Sequence, residues 1–206
     1  MAFPNNTELA VESSLDSEIK KVSGLTYIPD YINRDDQTRL IEIIDQQEWS
    51  IKTQRRVQEY GYKYDSENGS FVSSTYLGAL PDWAQNIATR ISEDSFMANV
   101  PEQVIVNEYQ PGQGIVSHLD CIPCFGNTII TLSLGSACVM DFTHSQTKEE
   151  AKVLLQPGSL LIFKKEARYI WKHGIAACHQ DKYNNREFIR NRRVSLTFRE
   201  VLFPYK

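Results

Sequence analysis

Long apolar runs are missing from this sequence of 206 residues. None approaches the roughly eighteen residues that a membrane-spanning helix needs. The N-terminus, MAFPNNTELAVESSLDSEIKK, has neither the basic start nor the continuous apolar core of a secretory signal. A soluble monomer with no membrane attachment is expected, intracellular: cytoplasmic, or nuclear in a eukaryote. Cysteine is scarce as well. Four residues cannot make a disulfide scaffold, and an intracellular compartment would keep them reduced. The CIPC at 121–124 has no second pair to complete a zinc site, since Cys138 and Cys178 stand apart, so these cysteines read as buried or surface thiols. Positive charge is in deficit: 22 Lys and Arg against 26 Asp and Glu give a formal net charge of −4. That balance argues against a generic polyanion binder, although a local basic patch is compatible with it.

What is present suffices for one sizeable core, because 41% of the residues are hydrophobic and 11% aromatic. Residues 1–23 are polar, Ser- and Glu-rich and aperiodic. They read as a flexible tail, with a single folded domain over 24–206. NRDDQTRLIEIIDQQEW carries Leu40, Ile41, Ile43 and Ile44 at helical spacing after an Asn/Asp-rich start, and PDWAQNIATRISEDSF opens with Pro81 and repeats apolar residues three to four apart. Short β-rich runs follow: 103–109, 115–119, 128–134, 137–142, 152–155, 159–163, 168–173 and 193–202. Strands after two helices predict an α+β fold, a sandwich or double-stranded β-helix (jelly roll) with the N-terminal helices packed on one outer face.

Within the strand-rich half, NEYQPGQGIVSHLD places His118 and Asp120 one residue apart. On a strand, positions i and i+2 share a face, so an imidazole and a carboxylate would converge. The chain has four histidines, and His173 ends a predicted strand well downstream. Two His and one Asp make the facial triad that holds a non-haem ferrous ion with the opposite coordination face open. The plainer reading is that both are ordinary core or surface histidines. The stretch RNRRVSLTFREV bears on the choice. As a strand it lines up Arg193, Ser195, Thr197 and Arg199 on one face, and Val194, Leu196 and Phe198 on the other. Alone, this is a half-exposed strand with its polar side in water. Beside a triad it reads as an anion pocket, because an arginine fork pairs a carboxylate in bidentate fashion and stays charged when buried. Asn107 and Tyr109, again i and i+2, add an amide and a phenol suited to a dicarboxylate.

Together these motifs resemble the AlkB-type dioxygenases that depend on Fe(II) and 2-oxoglutarate. The resemblance rests on NEYQPGQGIVSHLD, FGNTIITLSLGS, the His173 region and RRVSLTFR, covering nearly all of residues 101–201, and extends weakly to QRRVQEYGYKYD and YLGALPDW. It implies iron ligation by His118, Asp120 and His173. It also implies oxo-acid binding by Asn107, Tyr109, Arg193, Ser195 and Arg199, with Arg193 on the distal carboxylate and Thr197 structural. The implied activity is oxidative demethylation or hydroxylation of a modified nucleobase in DNA or RNA, tRNA included. In the family, the stretch resembling QRRVQEYGYKYD belongs to a lid over the flipped base, a use that Arg55, Arg56, Tyr60, Tyr62 and Tyr64 fit by stacking and phosphate contact. The alternative for that stretch is a solvated loop whose tyrosines pack on the sheet. The family usually has Asn where this chain has Ser195, and repair members commonly have an acidic residue where it has Ile122. A protein substrate, or a non-catalytic jelly-roll binding module, are the competing functions.

Overall fold

The computed structural model describes residues 6–52, 54–63 and 76–202. Helix α1 (Asn6–Lys21) and strand β1 (Leu25–Ile28) precede α2 (Arg34–Asp45), the hairpin of β2 (Ser50–Lys52) and β3 (Arg55–Tyr60), and α3 (Asp82–Glu93). Then come β4 (Gln103–Tyr109), β5 (Ile115–His118), β6 (Phe125–Gly135), β7 (Cys138–His144), β8 (Glu150–Leu155) and β9 (Leu160–Phe163). A short helix, α4 (Lys165–Tyr169), leads into β10 (Trp171–Ile175), followed by β11 (Gln180–Tyr183), β12 (Arg186–Ile189) and β13 (Arg193–Val201). Seven strands form one antiparallel sheet in the order β1-β9-β6-β13-β4-β3-β2, four form a second in the order β5-β10-β7-β8, and β11 with β12 makes a separate hairpin. This is the expected jelly roll. Between β5 and β10 the chain passes back and forth between the sheets, which brings together residues far apart in sequence.

Strand β13 shows how both faces of a sheet become interior. It is hydrogen-bonded between β4 and β6 at the centre of the larger sheet. Its Val194, Leu196 and Phe198 join Leu40 and Ile44 of α2 and Ala84, Ala88 and Ile91 of α3 in one buried cluster. Arg193, Ser195, Thr197 and Arg199 point the other way, into the space between the sheets. The half-exposed strand that the bare alternation describes is thus covered on both sides.

Helix α2 is set by Asn33, whose side-chain oxygen accepts from the Asp36 amide at 2.9 Å, and by Asp35 and Asp36 in a first turn where the helix dipole favours negative charge. Residues 6–21, inside the segment read from composition as a tail, form α1. Its Leu15 and Ile19 pack against the inter-sheet core, and the Glu18 carboxylate accepts from the Lys152 amide at 2.8 Å. Leu15, Ile19 and Val22 lie four and three positions apart, a stripe too short to stand out in a polar, Ser- and Glu-rich segment. Among the described residues no helix is long and apolar enough to cross a membrane.

Candidate metal centre and co-substrate pocket

The two sheets enclose a cavity of about 760 Å³, within the range of small-molecule sites. His118 ends β5, and the antiparallel pairing of β10 with β5 sets His173 opposite it. Gly174 allows that approach: a Cβ there would stand 2.9 Å from the Ser117 amide nitrogen and 3.0 Å from the Ile115 carbonyl oxygen. The two imidazole centroids are 4.6 Å apart. Asp120 lies past the end of β5 in irregular backbone, so the strand alternation that motivated the pair does not extend to it. Its carboxylate converges all the same. Asp120 Oδ2 is 3.6 Å from His173 Nε2, and one potential ligand atom from each of the three residues lies within 4.8 Å of the other two.

The surrounding charges suit metal binding. His118 Nδ1 is 2.8 Å from the Val116 carbonyl oxygen, so a proton there donates to the main chain and Nε2 is left as the ligand nitrogen. Burial lowers the pKa of His173 to about 4 against the pull of Asp120, which keeps this imidazole neutral. For Asp120, burial alone would raise the pKa, but Arg199, helped by His173, His118 and Arg168, holds the carboxyl well below the usual carboxylate range. Arg199 Nη2 donates to Asp120 Oδ1, leaving Oδ2 on the side of His173. Arg199, expected among the oxo-acid ligands, lines the cavity and bonds the candidate metal carboxylate, with its Nε buried and without a hydrogen-bond partner among the described residues.

Arg193 lies at the other end of the same face and is 3% exposed. Its Nη2 donates to Ser133 Oγ at 2.9 Å and its guanidinium lies 5.3 Å from the Tyr109 ring centroid, while Nε and Nη1 are buried with no hydrogen-bond partner among the described residues. A buried guanidinium with open N–H groups is costly unless an acceptor arrives, and its fork matches a carboxylate. Asn107, Tyr109 and Ser195 line the same cavity, with Ser195 opposite Asn107 and Arg193 opposite Tyr109 in register. The donor set His, His, Asp fits a ferrous ion, and the two open nitrogens of Arg193 fit the distal carboxylate of an oxo acid.

The residues expected in a lid divide. Arg55 lines the cavity, where its Nε donates to Asn107 Oδ1 at 3.0 Å. Arg56 is on the opposite face of β3, donating through Nε and Nη2 to the two Glu108 oxygens, each at 2.6 Å, with its guanidinium 4.9 Å from the Trp49 ring centroid. Tyr60 packs edge-on to Trp83 at 5.2 Å, and Tyr62 meets Tyr76 at 5.0 Å. Tyr64 lies outside the described residues. The cause is simple: this segment is a regular strand, so neighbouring side chains take opposite faces.

Glu59, Thr131 and Ser133 also belong to this inner face or its cavity, and the sequence reading did not single them out. Cys121 and Cys124, expected as free thiols, form a disulfide. The turn between them brings their Cα atoms to 5.3 Å, within the span that a disulfide bridges.

A family model described as the 2OG-Fe(II) oxygenase superfamily matches residues 30–199. The chain belongs to that family. Fe(II) and 2-oxoglutarate are accordingly the metal and co-substrate of this dioxygenase. It is 36% identical over 187 residues to "Uncharacterized protein L905" of Acanthamoeba polyphaga mimivirus, covering 89% of this chain and 87% of that one. It is 33% identical over 163 residues to the Mus musculus tRNA (carboxymethyluridine(34)-5-O)-methyltransferase ALKBH8, covering 74% of this chain and 24% of that protein. The dioxygenase therefore spans about a quarter of the length of this relative. The solved structure of OsALKBH1 shares the fold with a TM-score of 0.66 at 19% identity, over 86% of this chain and 96% of that one. Within the superfamily the dioxygenase is AlkB-like.

Proposed function

We propose that this AlkB-like dioxygenase oxidatively demethylates or hydroxylates a modified nucleobase in RNA or DNA, with tRNA the first substrate to test. The catalytic unit is the domain of residues 24–206, acting as an intracellular monomer. One observation carries the reading: a His118–Asp120–His173 cluster shares its cavity with a buried Arg193 fork that has two N–H-bearing nitrogens open.

His118, Asp120 and His173 would hold ferrous iron. Bound there, the metal with 2-oxoglutarate and dioxygen supplies hydroxylation of a C–H bond, with 2-oxoglutarate ending as succinate and carbon dioxide. Arg193 pairs the distal carboxylate of 2-oxoglutarate, and Asn107, Tyr109 and Ser195 flank it with an amide, a phenol and a hydroxyl. Arg55 fixes the Asn107 amide by donating to its oxygen, which turns the Asn107 NH₂ away from Arg55 and makes it the donor available to the co-substrate. Arg199 keeps Asp120 ionised and aimed. Ile105, Leu119, Phe125, Ile129 and Met140 supply apolar wall that keeps water from the reacting carbon. At the mouth, Val116 and Ile122 are exposed and offer apolar contact to the flat face of a base. An N-methyl carbon hydroxylated in this cavity is released as formaldehyde, leaving the bare nitrogen.

A protein substrate is the second reading, favoured by Arg56 and Tyr60 facing away from the cavity. Succinate formation from 2-oxoglutarate with added ferrous iron tests turnover, and a binding module gives none. Mass spectrometry of nucleosides after incubation with total tRNA and alkylated oligonucleotides tests the substrate. Succinate without any altered nucleoside would turn the search to proteins.

A further inference from the structure

Arg168 has no part in the reading above beyond its charge, yet it is 2% exposed. Its guanidinium is bonded to main-chain carbonyls: Nη1 donates to Asp120 O at 2.9 Å, Nη2 to Cys121 O at 2.9 Å and Phe125 O at 3.3 Å, and Nε to Gly126 O at 3.1 Å. All four acceptors lie on the stretch of residues 120–126 that follows β5 and enters β6. That stretch carries Asp120. Arg168 itself is in α4, on the segment that runs directly into β10 and His173.

Asp120 needs such a tie because it sits past the end of β5, where no strand ladder fixes its main chain. A ligand constellation must be held to within roughly half an ångström of its productive geometry, and an irregular loop does not supply that by itself. Several charge-assisted bonds from one rigid fork do. Burying a guanidinium with no bonded carboxylate is expensive, and a well-packed apolar side chain would fill the same space at lower cost. The cost is matched by what the fork alone can do, which is to hold four carbonyls at once. The Cys121–Cys124 disulfide closes the same turn, but it joins the loop only to itself.

We propose that Arg168 is a positioning residue of the metal centre, tying the Asp120 loop to the His173 segment and so setting the distance between these two ligands. The inference rests on the assignment of His118, Asp120 and His173 as metal ligands. The test uses the metal-free chain of residues 1–206 and Co(II), a redox-stable stand-in for ferrous iron, with affinity read by calorimetry, site geometry by the visible spectrum of bound Co(II), and stability by thermal melting. Arg168→Met should weaken Co(II) binding at least tenfold and alter its spectrum. Arg168→Lys, which keeps a charge but not the fork, should lie between Met and wild type. Ile44→Ala, on the far side of the sheet, should lower Tm while leaving affinity and spectrum unchanged. Wild-type affinity in a folded Arg168→Met chain would overturn the inference; if that variant does not fold, wild-type affinity and spectrum in Arg168→Lys would do so. Co(II) binding that survives His118→Ala undiminished would instead overturn the ligand assignment, and the inference with it.

Discussion

Arg193 and Ser195 stand two positions apart on β13 and line one pocket, yet their removal should have very unequal effects. Arg193→Ala leaves a substrate carboxylate buried without its cation, a loss of about 3–5 kcal/mol, or a hundredfold or more in 2-oxoglutarate affinity. Ser195→Ala removes one neutral hydrogen bond, about 1 kcal/mol, a few-fold effect. Titration of 2-oxoglutarate into the Co(II)-loaded variants measures both, and equal losses would place the pocket elsewhere. His173 gives a second residue-scale test. Its pKa in the fold is about 4 against an ordinary 6.5, so between those values the unfolded chain binds a proton that the native state does not. Stability of the metal-free protein should therefore fall as pH drops from 6.5 toward 4, by at most about 1.4 kcal/mol per pH unit for this one group. Urea unfolding at pH 6.5 and 4.5 should show a shallower fall for His173→Gln than for wild type. Identical slopes would remove His173 as the cause.

Among the elements, β5 and β10 matter most, and Gly174 decides how closely they approach. Gly174→Ala would put a methyl group 2.9–3.0 Å from main-chain atoms of β5, and main chain cannot swing aside as a side-chain tip can. The strands should separate, taking His173 from His118, so metal affinity should drop at least tenfold, with a lower Tm. An unchanged Co(II) titration would show that the pair tolerates the shift. Sequence alone made several elements readable. The apolar period of α2 and α3 and the run 103–109 were visible because each has a continuous face against one core. The metal trio was readable through its chemistry rather than its geometry: Asp120 was placed by a strand alternation that stops at His118. Strand β3 was harder. Arg55, Arg56 and Tyr60 look like surface until β4 supplies Asn107 and Glu108 as partners. The run 168–173 reads as one strand because Tyr169, Ile170 and Trp171 are β-formers, whereas a turn of helix at 165–169 is what aims the Arg168 fork at the Asp120 loop. Long-range partners of this kind leave no local period.

At the scale of the whole molecule, the question is where nucleic-acid phosphates could bind on a chain of net charge −4. Many of its arginines are already engaged. Arg56 and Arg192 clamp the buried Glu108, Arg192 also pairs with Asp45, and Arg190 pairs with Asp181. Arg193 and Arg199 line the cavity, and Arg168 holds carbonyls. Residues 64–75 include Asp65 and Glu67 but no lysine or arginine. The eleven lysines remain, but no more than two stand together in the sequence, so few phosphates meet any one cluster, and each phosphate contact contributes about −0.7 to −0.9 to the slope of log K against log salt. The slope for tRNA between 50 and 200 mM KCl should therefore be shallow, about −1 to −3, when followed by fluorescence anisotropy. Arg56→Ala should leave that slope unchanged while lowering Tm, because Arg56 serves Glu108 rather than phosphate. A slope steeper than about −5 would mean that clustered lysines track the phosphate backbone, and one that flattens in Arg56→Ala would place the outer face of β3 in that contact. With a shallow slope, discrimination between substrates must come from the modified base in the cavity mouth, so selectivity among nucleosides should persist at salt concentrations that erase most of the affinity.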